Sequence, residues 1–125
     1  MALLNDILIV DDHQDIVDLI KIVLQMDGFN AHEFTNPFLA LDYFKTDPKK
    51  FALAITDIRM PGMNGIELLI NIKEIRPDIK TFIVTAVDMD TIKPEIKRHA
   101  LEIEEILQKP LSLQNLTKCV HNYIH

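Results

Sequence analysis

Five polar residues in this 125-residue chain have the types and spacing to do chemistry together: Asp11, Asp12, Asp57, Thr85 and Lys109. Each stands at or just past the end of a short strand-like segment, at residues 7–10, 52–55, 82–84 and 103–108. Three carboxylates gathered at one place repel. At ~5 Å and an effective dielectric of about 20, each pair costs roughly 3 kcal/mol. A divalent cation removes that cost, and all-oxygen ligands favour Mg²⁺, which suits phosphate chemistry. Lys109 supplies a compact positive charge for a carboxylate or a phosphoryl group, and the Thr85 hydroxyl can donate to a phosphoryl oxygen. A carboxylate nucleophile, a metal, a lysine and a hydroxyl donor together make a phosphoryl-transfer site. No Ser-His-Asp or Cys-His set is present, and Gly28, Gly62 and Gly65 form no phosphate-cradling loop.

The elements that must position these groups follow from periodicity. Residues 7–10 read as a strand buried on both faces. Ile16, Val17, Ile20, Val23 and Leu24 then recur at helical spacing until Asp27-Gly28. A weak strand at 31–34 precedes a helix with Asn36 as N-cap, Pro37 at its first position and Phe38, Leu41 and Phe44 facing inward. The third strand, 52–55, is followed by a helix that Asn64 and Glu67 open as a capping box. It runs through Ile66, Leu69 and Ile70 toward Ile75 and closes at Pro77. A fourth strand at 82–84 leads to a helix near 89–101, weakened or restarted by Pro94. The fifth strand spans 103–108, and Ser112 caps a last helix with Leu113, Leu116, Val120 and Tyr123 inward. Strands alternating with helices argue for an α/β doubly wound sheet, mostly or wholly parallel. In such sheets ligands bind beyond the carboxyl ends of the strands, where the five polar residues would meet.

Composition bounds the function. Apolar residues make up 48% and charged residues 26%, enough for one domain with a full core. Nineteen acidic against thirteen basic residues give a net charge of −6, the wrong sign for a bare nucleic-acid binder. Residues 1–4 carry no basic stretch, which argues against a signal peptide, and no apolar run approaches a membrane span. The single cysteine, Cys119, excludes an internal disulfide and reads as a small core hydrophobe.

The chain resembles the receiver domains of two-component response regulators. The matching segments are ILIVDD at 7–12, ITDIRMPGMNG at 55–65, VTA at 84–86 and QKP at 108–110. The resemblance implies a flavodoxin-like five-stranded sheet of order 2-1-3-4-5 with five helices, over 1–125, without an effector domain. It implies that Asp57 accepts a phosphoryl group from a histidine kinase. Asp12, Asp57 and the backbone carbonyl of Arg59 would ligate Mg²⁺, with Asp11 acting directly or through water. Lys109 would stabilise the acyl phosphate, Thr85 would bond to it, and Pro110 resembles the family's cis proline. Met60, Pro61 and Gly65 match the loop that shapes the site floor.

Departures from the family pattern concentrate on the output side. Ile106 stands where the family usually places Tyr or Phe, so coupling from Asp57 to the face of helix 4, strand 5 and helix 5 is expected to be weaker or differently routed. Glu102 and Ile103 replace the usual Gly-Ala, so the turn before the fifth strand is expected to be irregular. Val87 cannot orient an attacking water and Arg59 can lie over the site, which implies a phosphoryl lifetime of minutes or longer.

The expected partners are a sensor histidine kinase or phosphotransfer protein and a separate output protein, in the cytoplasm, with no direct contact to nucleic acid or membrane. Two other readings stay open at this point, an unregulated scaffold and an aspartate-nucleophile phosphatase. The latter uses Asp-x-Asp on its first strand, whereas Asp11 and Asp12 are adjacent. His13 follows the acidic pair near the rim of the site. His32, His99, His121 and His125 read as solvated or boundary residues without ligand spacing. Asn115-Leu116-Thr117 is a chance glycosylation pattern inside a helix. Lys49-Lys50 and Lys97-Arg98 read as solvated charge pairs.

Overall fold

The computed structural model describes residues 5–124, so the readings of residues 1–4 and of His125 lie outside it. Five strands alternate with five helices: β1 (Asp6–Val10), α1 (Gln14–Met26), β2 (Asn30–Phe34), α2 (Pro37–Thr46), β3 (Phe51–Thr56), α3 (Gly65–Ile75), β4 (Lys80–Thr85), α4 (Met89–Arg98), β5 (Glu105–Gln108) and α5 (Leu113–Tyr123). The strands form one sheet of order β2-β1-β3-β4-β5, and every pairing is parallel. The fold is thus the flavodoxin-like one implied by the sequence. Among the described residues, no helix is long and apolar enough to cross a membrane.

The alternation of the central strands explains the two apolar layers. Ile7, Ile9, Ile55, Phe82 and Val84 point to the side covered by Val17, Ile20 and Leu24 of α1 and by Leu116 and Val120 of α5. Leu8, Val10, Ala54 and Ile83 point the other way, against Ala40 and Phe44 of α2 and Leu68, Leu69 and Ile72 of α3. Side chains on successive strand residues face opposite layers, so apolar runs without alternation fill both. Cys119 lies in the first layer, buried and free.

Helix starts follow the expected chemistry. The Asn36 side chain accepts from the backbone N–H of Phe38, Asn64 and Glu67 form the reciprocal capping box, and Ser112 accepts from Asn115. Each such cap is worth about 1 kcal/mol. At the end of α1, Gly28 takes φ +88°, a left-handed conformation that glycine adopts without steric cost.

Several expectations are corrected. Phe38 does not face the core: it is 50% exposed, and its ring lies over Gly62 in the β3–α3 loop. Leu113 is only half-buried and Ile75 is exposed, both at helix termini where the apolar stripe runs out. α4 continues through Pro94 without restarting and stops at Arg98, earlier than Leu101. Ala100, at φ 52°, reverses the chain there. β5 begins at Glu105, two residues later than expected. Glu102 and Glu104 are used instead to tie the preceding segment to Thr81. Its hydroxyl donates to the Glu102 carbonyl at 3.0 Å, and its N–H donates to the Glu104 carboxylate at 2.7 Å. This is the irregular turn that the Glu102-Ile103 substitution foreshadowed.

Candidate functional site

The carboxyl ends of β1, β3, β4 and β5 bring the five polar residues into one crevice. Parallel pairing places Val10 beside Thr56 and Thr85 beside Gln108, so the residues that follow each strand emerge at one edge of the sheet. Asp57 and Asp11 are buried there, as is Thr85. Lys109 reaches in from β5 and bridges the two acids: its ammonium donates to Asp11 Oδ2 at 2.8 Å and to Asp57 Oδ2 at 2.9 Å. Burial works against the charged lysine, but the two carboxylates outweigh it and hold its pKa above the ordinary value. The Lys109–Pro110 peptide is cis.

The backbone around Asp57 is tightly specified. Asp57 Oδ1 accepts from the N–H of Ile58 at 2.6 Å, while its carbonyl accepts from the buried Thr56 hydroxyl at 2.8 Å. The first residue of α3 presses directly on this carbonyl: a Cβ at Gly65 would meet it at 1.9 Å. Only glycine fits a helix start so close to the chain bearing Asp57. Met60 is buried beneath the loop, whereas Pro61 and Arg59 are exposed.

Asp11, Asp12, His13 and Asp57 each offer a ligand atom, all within 4.8 Å of one another. Asp12 Oδ1 is out of solvent and accepts no hydrogen bond among the described residues. A buried acceptor without a donor costs free energy unless a cation or water meets it. Three carboxylates against one ammonium leave two negative charges, the complement of a divalent cation. The residues present therefore fit an oxygen-ligated divalent ion.

A cavity of about 620 Å³ opens above these groups, lined by Asp57, Thr85, Lys109, His13, Arg59 and Val87 among others. The Thr85 hydroxyl oxygen accepts from the Val87 N–H at 3.2 Å, so its proton remains to donate. Gln108 donates from its side chain to the Val87 carbonyl at 3.0 Å, joining the end of β5 to the β4–α4 loop. Ile106 pairs with Ile83 and packs against the α3 side of the core, away from the carboxylates.

The sequence model of the response regulator receiver domain matches residues 7–121. The chain belongs to the response regulator receiver family. It is 32% identical over 110 residues to the response regulator receiver protein CpdR of Brucella abortus, covering 88% of each chain. It is 31% identical to the sporulation initiation phosphotransferase F of Bacillus subtilis, covering 94% of this chain and 92% of that protein. Among solved structures it is similar to a response regulator receiver domain protein from Clostridium thermocellum, with a TM-score of 0.86 at 30% identity. That match covers 97% of this chain and 94% of the other.

Within this receiver, two side chains that were given no role in the sequence reading take part in the site. His13 bonds to Asp11 Oδ1 at 2.9 Å through Nδ1, and those bonds raise its pKa. Its adjacency to the acidic pair was the only signal. Gln108 was visible only as part of the QKP match, and its partner is a loop carbonyl 21 residues away. His32 is a boundary residue with specific partners, bonding to Asp6 at 2.9 Å and to the Tyr43 hydroxyl at 3.1 Å.

Proposed function

We propose that this receiver is a phosphorylation-controlled switch in which Asp57 accepts a phosphoryl group from a phosphohistidine of a histidine kinase or phosphotransfer protein. The observation that carries this reading is the Lys109 bridge between Asp57 and Asp11, which holds the Asp57 side chain at the floor of a cavity open to a donor. An Asp57 carboxylate oxygen attacks phosphorus, the P–N bond breaks, and its electron pair returns to the departing imidazole ring. Lys109 balances charge as it grows on the phosphoryl oxygens. Thr85, with its proton free to donate, moves onto one of those oxygens.

Asp11, Asp12 and Asp57, with the carbonyl of Arg59, would hold Mg²⁺, which supplies charge neutralisation for the incoming phosphoryl group when bound. The added charge of about −1.5 to −2 beside Thr85 shifts the β4–α4 loop and so the affinity of a separate cytoplasmic output protein for α4, β5 and α5. On this reading the domain is a signalling module whose chemistry is confined to its own aspartate.

The test is exposure of the full chain to a small phosphodonor with and without Mg²⁺, followed by intact mass. One phosphoryl addition that needs Mg²⁺ and vanishes in Asp57→Asn is expected, decaying over minutes or longer because Val87 offers no group to orient water. No addition to the wild-type chain would refute the acceptor role, and decay within seconds would refute the lifetime.

A further inference from the structure

Away from Asp57, toward the amino ends of the strands, four side chains form one hydrogen-bonded chain. Asp6 opens β1, His32 lies in β2, Tyr43 in α2, and Lys50 immediately precedes β3. His32 Nε2 lies 2.9 Å from Asp6 Oδ2, and its Nδ1 lies 3.1 Å from the Tyr43 hydroxyl. The Lys50 ammonium donates to that same hydroxyl at 3.1 Å. It also sits 4.7 Å from the centre of the Tyr43 ring and 5.3 Å from that of Phe51, so it is not the solvated charge expected of the Lys49-Lys50 pair. All four side chains are half-buried beside the β2 edge of the sheet.

Donor and acceptor chemistry gives this chain a direction. An ammonium can only donate, so Lys50 occupies a lone pair of the Tyr43 oxygen and leaves the hydroxyl proton for His32. An ionised Asp6 can only accept, so the neutral His32 ring carries its proton on Nε2 and presents a bare Nδ1 to Tyr43. A hydroxyl facing an imidazole that a carboxylate orients is the arrangement that activates a nucleophile. Lys50 stands within reach of the oxyanion that attack on an acyl carbon would create. Its bond to Tyr43 holds its own pKa above the ordinary value. Tyr123, the other tyrosine of the chain, has the reverse surroundings. Its hydroxyl donates to the Glu104 carbonyl at 3.3 Å, and burial and the Glu105 and Glu104 carboxylates push its pKa up.

We infer that Tyr43 is an activated nucleophile and a covalent modification site of this protein, taking an acyl group from a small activated acyl donor. The Tyr43 oxygen attacks the acyl carbon while its proton passes to His32 Nδ1, leaving an imidazolium paired with Asp6. Lys50 meets the oxyanion. Collapse breaks the bond to the leaving group, which departs with its electron pair and takes the proton from His32. Tyr43 is left as an aryl ester. The ester has no proton to donate to His32, so the modification also cuts a tie between α2 and β2.

The test is acetylation of the full chain by N-acetylimidazole at neutral pH, with peptide mass following each tyrosine separately. In the wild type, Tyr43 is expected to react ~10-fold faster than Tyr123 or more. Hydroxylamine should then remove the Tyr43 acetyl group, as it does from aryl esters and not from lysine amides. His32→Gln and Lys50→Met should each slow Tyr43 by about 10-fold or more and change Tyr123 by less than about twofold. The comparison of the two tyrosines in the wild type depends on no variant's folding. A Tyr43 rate no greater than that of Tyr123 overturns the inference, as does a Tyr43 rate unchanged in both variants. The same labelling is expected in Asp57→Asn, so failure of the phosphoacceptor role leaves this result untouched.

Discussion

Replacing Gly65 by alanine should disable the site from behind, through the backbone. The added Cβ would lie 1.9 Å from the Asp57 carbonyl oxygen, 2.8 Å from its carbon and 3.0 Å from the Ile58 Cα. A comfortable carbon–oxygen contact is about 3.3 Å, so the chain must open by roughly 1.4 Å. No flexible side chain can absorb that movement, because every atom met is backbone. Opening also strains two short bonds, Gly65 N–H to the Ile58 carbonyl and the Thr56 hydroxyl to the Asp57 carbonyl, both at 2.8 Å. Overpacking of this kind costs about 1–3 kcal/mol, and displacing a reacting group by about 1 Å costs ~100-fold in rate. Gly65→Ala is therefore expected to lose about 2 kcal/mol in urea denaturation and to slow Asp57 labelling by a small phosphodonor ~100-fold. Stability within about 0.5 kcal/mol of wild type would refute the steric argument. A stability loss with an unchanged labelling rate would refute the link from Gly65 to Asp57.

Other perturbations have equally definite outcomes. Arg76 donates from Nη1 to the carbonyls of Pro48 and Phe51 at 2.8 and 2.6 Å, so Arg76→Ala should cost about 2–3 kcal/mol of unfolding free energy. Its exposed partner Asp78 should matter less than about 0.5 kcal/mol, and equal losses in the two variants would contradict this. Burial and the neighbouring Asp18 raise the Glu33 pKa, and its Oε2 is buried without a donor. The ionised form is thus the penalised one in the folded state. Glu33→Gln should raise the melting temperature at pH 7, and the gain should fade as pH falls from the raised folded-state pKa toward about 4.3, below which the carboxyl is protonated in both states. A gain that persists at pH 3 would contradict the titration argument. With aliphatic Ile106 packed against the α3 side, amide shifts on adding a phosphoryl mimic should concentrate at residues 85–88 and fade across α4, β5 and α5. Full-sized shifts over that whole face would refute altered coupling.

The receiver's site was legible because its residues sit at strand ends. A strand buried on both faces must stop where polar residues begin, so Asp11, Asp57, Thr85 and Lys109 announced themselves as terminators of apolar runs. Phe38 shows the limit of that logic. Helical spacing placed it inward, but its ring lies over Gly62 in the β3–α3 loop and half of the residue stays exposed. Ile103 was assigned to the fifth strand, yet Thr81 bonds to Glu102 and Glu104 and the ladder begins only at Glu105. Pro94 was expected to interrupt α4, but an exposed helix can forgo one backbone hydrogen bond and continue.

The alternation of strands and helices, the caps at Asn36, Asn64 and Ser112, and the set of polar residues at the sheet's carboxyl edge are all written into the order of residues. All of these are local, set by side-chain periods of 2 and 3.6 and by groups within a few residues of each other. Which atoms meet depends on how the elements pack. Lys109 bridges acids 98 and 52 residues away, Gly65 is required by a carbonyl in another element, and His13 leans over the acidic pair where a helix cap could have stood. Such pairings depend on strand order and register, which are fixed when both apolar layers close at once.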